Sequence, residues 1–250
     1  MITAIAGREL KSLFLSPLAW SLLAVIQLIL SYAFLSQLDQ YLYWQPQIAG
    51  MQDVPGVTDF IAAPYLATAA FLLLWVSPPL TMRMLSDERR NGTLPLLLSS
   101  PVSMSDVILG KFLGVYLFFL IILALLVTLP LSLYAGTSLD PGKLAAGVLG
   151  LALVFGAYAA VGLFMSSLTD QPVVAAVSTF GVLILMWIVD WSGGERTEVT
   201  GLFHYLSLQT HLQSFLKGLF STADVVYYLL VIATFLILGI RRLDNQRLTG

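Results

Sequence analysis

Six predominantly apolar runs dominate the chain, at 18–38, 60–82, 107–134, 144–168, 172–189 and 225–240. A helix that crosses a bilayer needs about 20 such residues. The hydrocarbon offers backbone amides no partner, so a single apolar segment can cross only as an internally bonded helix. Within the six runs only Lys111, near the start of the third, carries a charge. Composition points the same way: 10% of the 250 residues are charged, against about 25% in soluble domains. Mean hydropathy is +0.88. The first run is too long for a signal peptide, and the polar "QLDQYLYWQPQ" follows it instead of a small-residue cleavage site. The expected fold is therefore an all-α polytopic membrane protein with six transmembrane helices in one membrane domain. The chain has no cysteine, which excludes disulfides and thiolate metal sites.

Loop charges set the expected orientation. With a cytoplasmic N-terminus, the inside set is Arg8, Lys11, Arg83, Arg89, Arg90, Lys111, Arg241, Arg242 and Arg247; Lys143, Arg196 and Lys217 lie outside. Nine against three follows the positive-inside rule, and six spans return the C-terminus to the cytoplasm. The segment 1–16 places Ile2, Ala6, Leu10 and Leu13 on one helical face, with Arg8 and Lys11 opposite. That is the pattern of an elbow helix lying in the inner interface. Ser16-Pro17 breaks it before the first span, because the residue before proline is pushed out of α geometry. The competing reading is a plain extension of that span.

Several functions are not expected. Intramembrane charges mark ion-coupled carriers, and the span centres have none. No GxxxxGK[ST] phosphate loop occurs. His204 and His211 are spaced to share a helix face, but a two-His metal site without carboxylate support is not expected. No catalytic, cofactor or metal residues are assigned.

The charged interruption at 86–103 carries the functional signal. Asp87, Glu88, Arg89 and Arg90 continue the second span out of the membrane as a charged helix, which Gly92 can end in a left-handed conformation. Thr93 can cap a short helix, 94–99, with Pro95 in its first turn. Ser103-Met-Ser-Asp106 resembles a capping box opening the third span. Leu94, Leu96, Leu97 and Leu98 then form an apolar knob rimmed by charge, a binding surface for a partner. The alternative is an interfacial turn resting on lipid headgroups.

The run "SDERRNGTLPLLLSSPVSMSDVILGKFLG" and the start "GRELKSLFLSPLAW" resemble ABC-2 type permeases, particularly the gliding-motility type. The layout resembles theirs over the whole chain, with the specific match at 8–20 and 86–111. Pro95 departs from the acidic residue often found there, which weakens any assignment of a carboxylate contact at that position. The resemblance implies a permease subunit of an ATP-driven transporter, itself no enzyme, in the bacterial inner membrane with both termini cytoplasmic. It implies a coupling helix in 86–103 contacting two copies of an ATP-binding subunit that holds ATP and Mg. It also implies a second copy of this permease or a homologue, with the first and fifth spans at the interface. A periplasmic or membrane-anchored accessory protein is a further possible partner; nucleic acid is not. Export and substrate-free force transmission to a periplasmic partner both fit. Of the outer segments, 39–59 is polar and too short for a domain, and 193–221 is expected to hold short helices dipping into the outer leaflet. Small residues in the fourth and fifth spans (Gly147, Gly150, Gly156, Gly162, Ala175, Gly181) allow close helix approach.

Overall fold

The computed structural model describes residues 1–48, 56–93, 103–137, 139–189 and 205–249. Its elements are α1 (Ile2–Leu15), α2 (Pro17–Ile48), a π-helical turn (Thr58–Ala62) leading into α3 (Ala63–Thr81), and α4 (Arg83–Arg90). After these come α5 (Met104–Ser132), a 3-10 turn (Leu133–Ala135), α6 (Pro141–Leu168), α7 (Pro172–Ile188), α8 (Leu208–Leu216) and α9 (Thr222–Thr249). Among the described residues the structure is entirely helical. Five segments are long and apolar enough to cross a membrane: 17–47, 58–90, 104–135, 141–168 and 222–247. The fifth expected span, 172–189, is α7, a shorter apolar helix of 17 residues.

The core is built on α6. In its most apolar window 72% of residues are buried, against 22% for α2. Glycines make this possible by removing the side chains that would hold neighbours away. A methyl at Gly162 would fall 2.1 Å from Thr81 Oγ1 of α3, and one at Gly150 2.7 Å from Phe215 of α8. At Gly156 it would meet Ile232 of α9 at 2.8 Å. A methyl at Gly181 of α7, by contrast, would meet nothing within 4 Å among the described residues. Between α3 and α7 the packing is aromatic, with Trp75 and Phe180 centroids 4.6 Å apart.

Proline and hydroxyl side chains shape the helix ends. Ser16 is extended (φ −80°, ψ 121°), so α1 ends there and α2 begins at Pro17. Trp20 Nε1 donates to the Phe14 carbonyl at 2.7 Å across this bend. Pro78 and Pro79 lack the N–H groups that would bond the carbonyls one turn earlier. Ser77 Oγ donates to the Leu74 carbonyl in compensation, at 3.3 Å.

The helix of the first span runs past its expected end at Leu38: α2 continues through Asp39 and Trp44 to Ile48, with Pro46 in its last turn. Polarity misled here, because an apolar-run criterion ends at Leu38 although nothing in 39–45 breaks a helix. The 193–221 segment is described only from Tyr205, and it contributes α8.

Candidate functional site

Charged residues gather at one end of the bundle, where α1, α4, the start of α5, the end of α6 and the end of α9 meet. Lys111 is its centre. Its ammonium is 2% exposed and lies 2.8 Å from both Glu9 Oε1 of α1 and Glu88 Oε1 of α4. Arg8 flanks the same two oxygens at 3.5 and 3.6 Å, from an exposed position. Two cations and two carboxylates thus balance. The buried lysine is tolerable because each of its close partners is charged and in hydrogen-bond range. Glu88 Oε2 is buried without a partner among the described residues.

Steric fit holds α1 in this clamp. A methyl at Gly110 of α5 would lie 2.7 Å from Ile5 Cβ, and one at Gly114 2.7 Å from Glu9 Cβ. The residues of α1 fall as the periodicity predicts: Ala6 is buried, Ile2, Leu10 and Leu13 are half-buried, and Arg8 and Lys11 are exposed.

A second lock ties α4 to the end of α6. Ser166 Oγ accepts from the N–H groups of Leu85 and Ser86 at 3.0 and 3.1 Å and donates to the Met82 carbonyl at 2.9 Å. The break between α3 and α4 frees these backbone groups, and a side chain satisfies them. Ser86 Oγ also donates to the Met82 carbonyl. Arg89 donates at 2.7 Å to both the Ser167 carbonyl and Gln246 Oε1 of α9. The α6–α7 turn, Thr169–Gln171, is short, with Gln171 N–H donating to Thr169 Oγ1 at 3.1 Å.

The end of α4 is sharply defined. Gly92 has φ +67°, its N–H donates to the Arg89 carbonyl at 3.2 Å, and that of Thr93 to the Glu88 carbonyl at 3.0 Å. This pair of bonds is a Schellman termination. Thr93 Oγ1 also donates to the Glu88 carbonyl, so this residue closes the helix behind it. Leu94, Leu96, Leu97 and Leu98 lie outside the described residues. At Ser103 the hydroxyl accepts from the Asp106 N–H at 3.0 Å, capping α5.

The structure therefore divides the sequence-predicted site residues. Glu9, Glu88 and Arg89 are engaged within the chain, whereas the side chains of Asp87 and Arg90 form no ion pair or hydrogen bond among the described residues. Sequence reasoning missed Ser166, Ser167 and Gln246, and it treated Lys111 only as an orienting charge. The available signal was Lys111 itself, a lone cation in a long apolar helix, which demands a carboxylate partner.

At the opposite end, Asp59 and Lys143 pair at 2.8 Å. Asp140 caps α6 by accepting from the Gly142 and Lys143 N–H groups at 2.9 and 3.2 Å. His211 does have a carboxylate partner: its Nδ1 lies 2.5 Å from Asp224 Oδ1, and its Nε2 2.9 Å from the Tyr205 carbonyl. A carbonyl only accepts, so Nε2 is the donor to Tyr205. The imidazole stacks on Tyr227 with centroids 4.0 Å apart. This is a pin between α8 and α9. No group of three or more His, Cys, Asp or Glu that could hold a metal occurs among the described residues.

Membrane-length apolar helices with a charged, interlocked collar at one end define a polytopic membrane protein. Its described residues form no metal-binding cluster, and its sequence has no phosphate loop. The family model for ABC-2 family transporter proteins matches residues 3–248, and the chain belongs to that family. Members are membrane components that typically work with an ATP-binding subunit. A comparison with curated proteins gave no match.

Proposed function

We propose that the chain is the permease subunit of an ATP-driven exporter, of the gliding-motility-type branch of the ABC-2 family. In this reading it spans the bacterial inner membrane six times, with both termini cytoplasmic and α1 as the elbow helix. Residues 94–99 form a coupling helix seated in a groove of a separate ATP-binding subunit, which holds ATP and Mg. Two such subunits and a second permease copy, or a homologue, complete the transporter.

The observation that carries this reading is the Lys111 clamp. Two of the elements it joins, α4 and α5, flank the proposed coupling segment, and the third is the proposed elbow. A push on residues 94–99 cannot move α4 alone. Glu88 and Arg89 pass it to α1, α5, the end of α6 and α9. A coupling helix needs such rigid connections, whereas a loop resting on headgroups does not.

Leu97→Asp tests the docking. A charge in a desolvated contact costs more than truncating a hot spot, itself worth ~2 kcal/mol or more. The variant is expected to insert normally and to lose the ATP-binding subunit on co-purification. Full retention of that subunit would return residues 94–99 to the headgroup surface.

A further inference from the structure

Three charges of α4, Arg83, Asp87 and Arg90, stand outside both locks. Arg83 and Asp87 are one turn apart, a spacing at which opposite charges on a helix commonly pair. Yet neither side chain has an ion pair or hydrogen bond among the described residues. Both instead line a cavity of about 440 Å³ enclosed by α1, the start of α2 and the α3–α4 junction. The same two residues border a second recess of about 410 Å³ that reaches Arg90 and the start of α7 at Pro172. The first cavity is within the size range of ligand sites, ~300–1,000 Å³.

Its lining is divided by chemistry. Leu18, Leu80 and Met84, together with Leu13 of α1, form an apolar wall continuous with the spans α2 and α3. Glu9, Ser12, Ser16, Arg83 and Asp87 supply the polar part. Glu9 is already neutralised by Lys111 at 2.8 Å. The uncommitted charges are therefore one guanidinium and one carboxylate, a helical turn apart. A ligand that satisfies both carries one negative and one positive group on a short spacer, with an apolar body to lie along the wall.

We infer that this groove binds the headgroup of a zwitterionic phospholipid with a primary amine, of the phosphatidylethanolamine type. Arg83 takes the phosphate and Asp87 the ammonium. A guanidinium matches phosphate through parallel N–H donors, and a primary ammonium supplies N–H donors to a carboxylate. A quaternary choline head has no such donors and is typically recognised by aromatic rings; no aromatic residue lines the cavity among the described residues. An anionic phosphatidylglycerol head would use Arg83 but leave Asp87 unpaired beside it. The inference rests on the proposed reading in one respect, that this end of the bundle lies at a membrane surface.

The test is lipid retention by the full-length chain, purified without its ATP-binding subunit. Detergent-solubilised protein is incubated with phosphatidylethanolamine, phosphatidylcholine or phosphatidylglycerol of matched acyl chains, and bound lipid is counted by native mass spectrometry. The wild type is expected to favour phosphatidylethanolamine over each of the others by about ten-fold, the ratio that one charge-assisted hydrogen bond can supply. Asp87→Asn should remove the advantage over phosphatidylcholine, and Asp87→Arg should turn the preference to phosphatidylglycerol. That gain of binding is something a misfolded variant cannot show. Equal retention of the three lipids by the wild type, or an unchanged preference in Asp87→Arg, would overturn the site. Because the ATP-binding subunit is absent, failure here leaves the docking of residues 94–99 untouched, and loss of that docking leaves this result standing.

Discussion

The cost of a buried charge decides what Lys111 does. An ammonium that is 2% exposed cannot be left without partners, because desolvating an ion costs several kcal/mol unless close counter-charges offset it. Removing one member of such a cluster is typically worse than removing all of it. Lys111→Met is therefore expected to leave Glu9 and Glu88 facing each other across an apolar gap, with a loss of about 3–5 kcal/mol in stability. Adding Glu9→Gln and Glu88→Gln to the same chain should recover much of that loss while leaving the α1–α4 connection weakened. Thermal unfolding in detergent measures both; a triple variant no more stable than the single one would mean that Lys111 acts by packing and not by charge. Arg8→Gln should be nearly neutral, since its side chain is 71% exposed and exposed pairs contribute ~0–1 kcal/mol. The His211–Asp224 pin obeys the same rule at the other end, where both groups are buried.

Among the elements, α1 depends most on a neighbour's sequence. It has no side-chain N-cap, and a 14-residue helix is marginal on its own in water. What holds it is the glycine-lined face of α5. Gly114→Val is expected to lift α1 off α5, because the added side chain would meet Glu9 Cβ and the Ala6 carbonyl within 2.7–3.0 Å. Glu9 would then be drawn away from Lys111. Limited proteolysis at Arg8 and Lys11, now exposed on a docked helix, should become markedly faster in this variant; unchanged cleavage would show that α1 is held by the clamp or the membrane alone. Local punctuation of this kind was legible in the sequence. Ser16-Pro17, Gly92 and the Ser103 cap each act within a few residues, so spacing alone predicts them. The collar was not legible, because Lys111 meets Glu9 across 102 positions and Ser166 meets Leu85 across 81. Hydropathy and helical period contain no information on pairing at that range. The extension of α2 past Leu38 was missed for a different reason: tolerance of polar residues in a helix leaves no apolar signature.

At the scale of the molecule, the contact between Arg89 and Gln246 constrains how the chain is threaded. It places the end of α4 and the end of α9 on one side. From α4 the chain crosses in α5 and returns in α6, so it stands on that same side at the Thr169–Gln171 turn. Since α9 is long enough to span and ends there, it starts on the far side, where Asp224 meets His211 of α8. Something between 172 and 222 must cross, and α7 is the described helix available. Its 17 residues rise about 25 Å at 1.5 Å each, slightly short of a hydrocarbon core of about 30 Å. Local thinning of the bilayer accommodates such a mismatch at modest cost. The expected topology is therefore six crossings, with both termini on the side of the charged collar, and by the positive-inside rule the Lys and Arg bias of nine to three predicts that this side is cytoplasmic. The chain has no cysteine, so single cysteines can be read without background. Those placed at Gly50 and Gly194 should react with a membrane-impermeant maleimide added from the periplasm, and one at Gly92 should react only after the membrane is opened. Periplasmic labelling at Gly92 would invert the whole arrangement and withdraw the coupling role of residues 94–99. Protection at Gly194 together with labelling at Gly50 would instead show that α7 stays on the cytoplasmic side, and the threading through Gln246 would have to be abandoned.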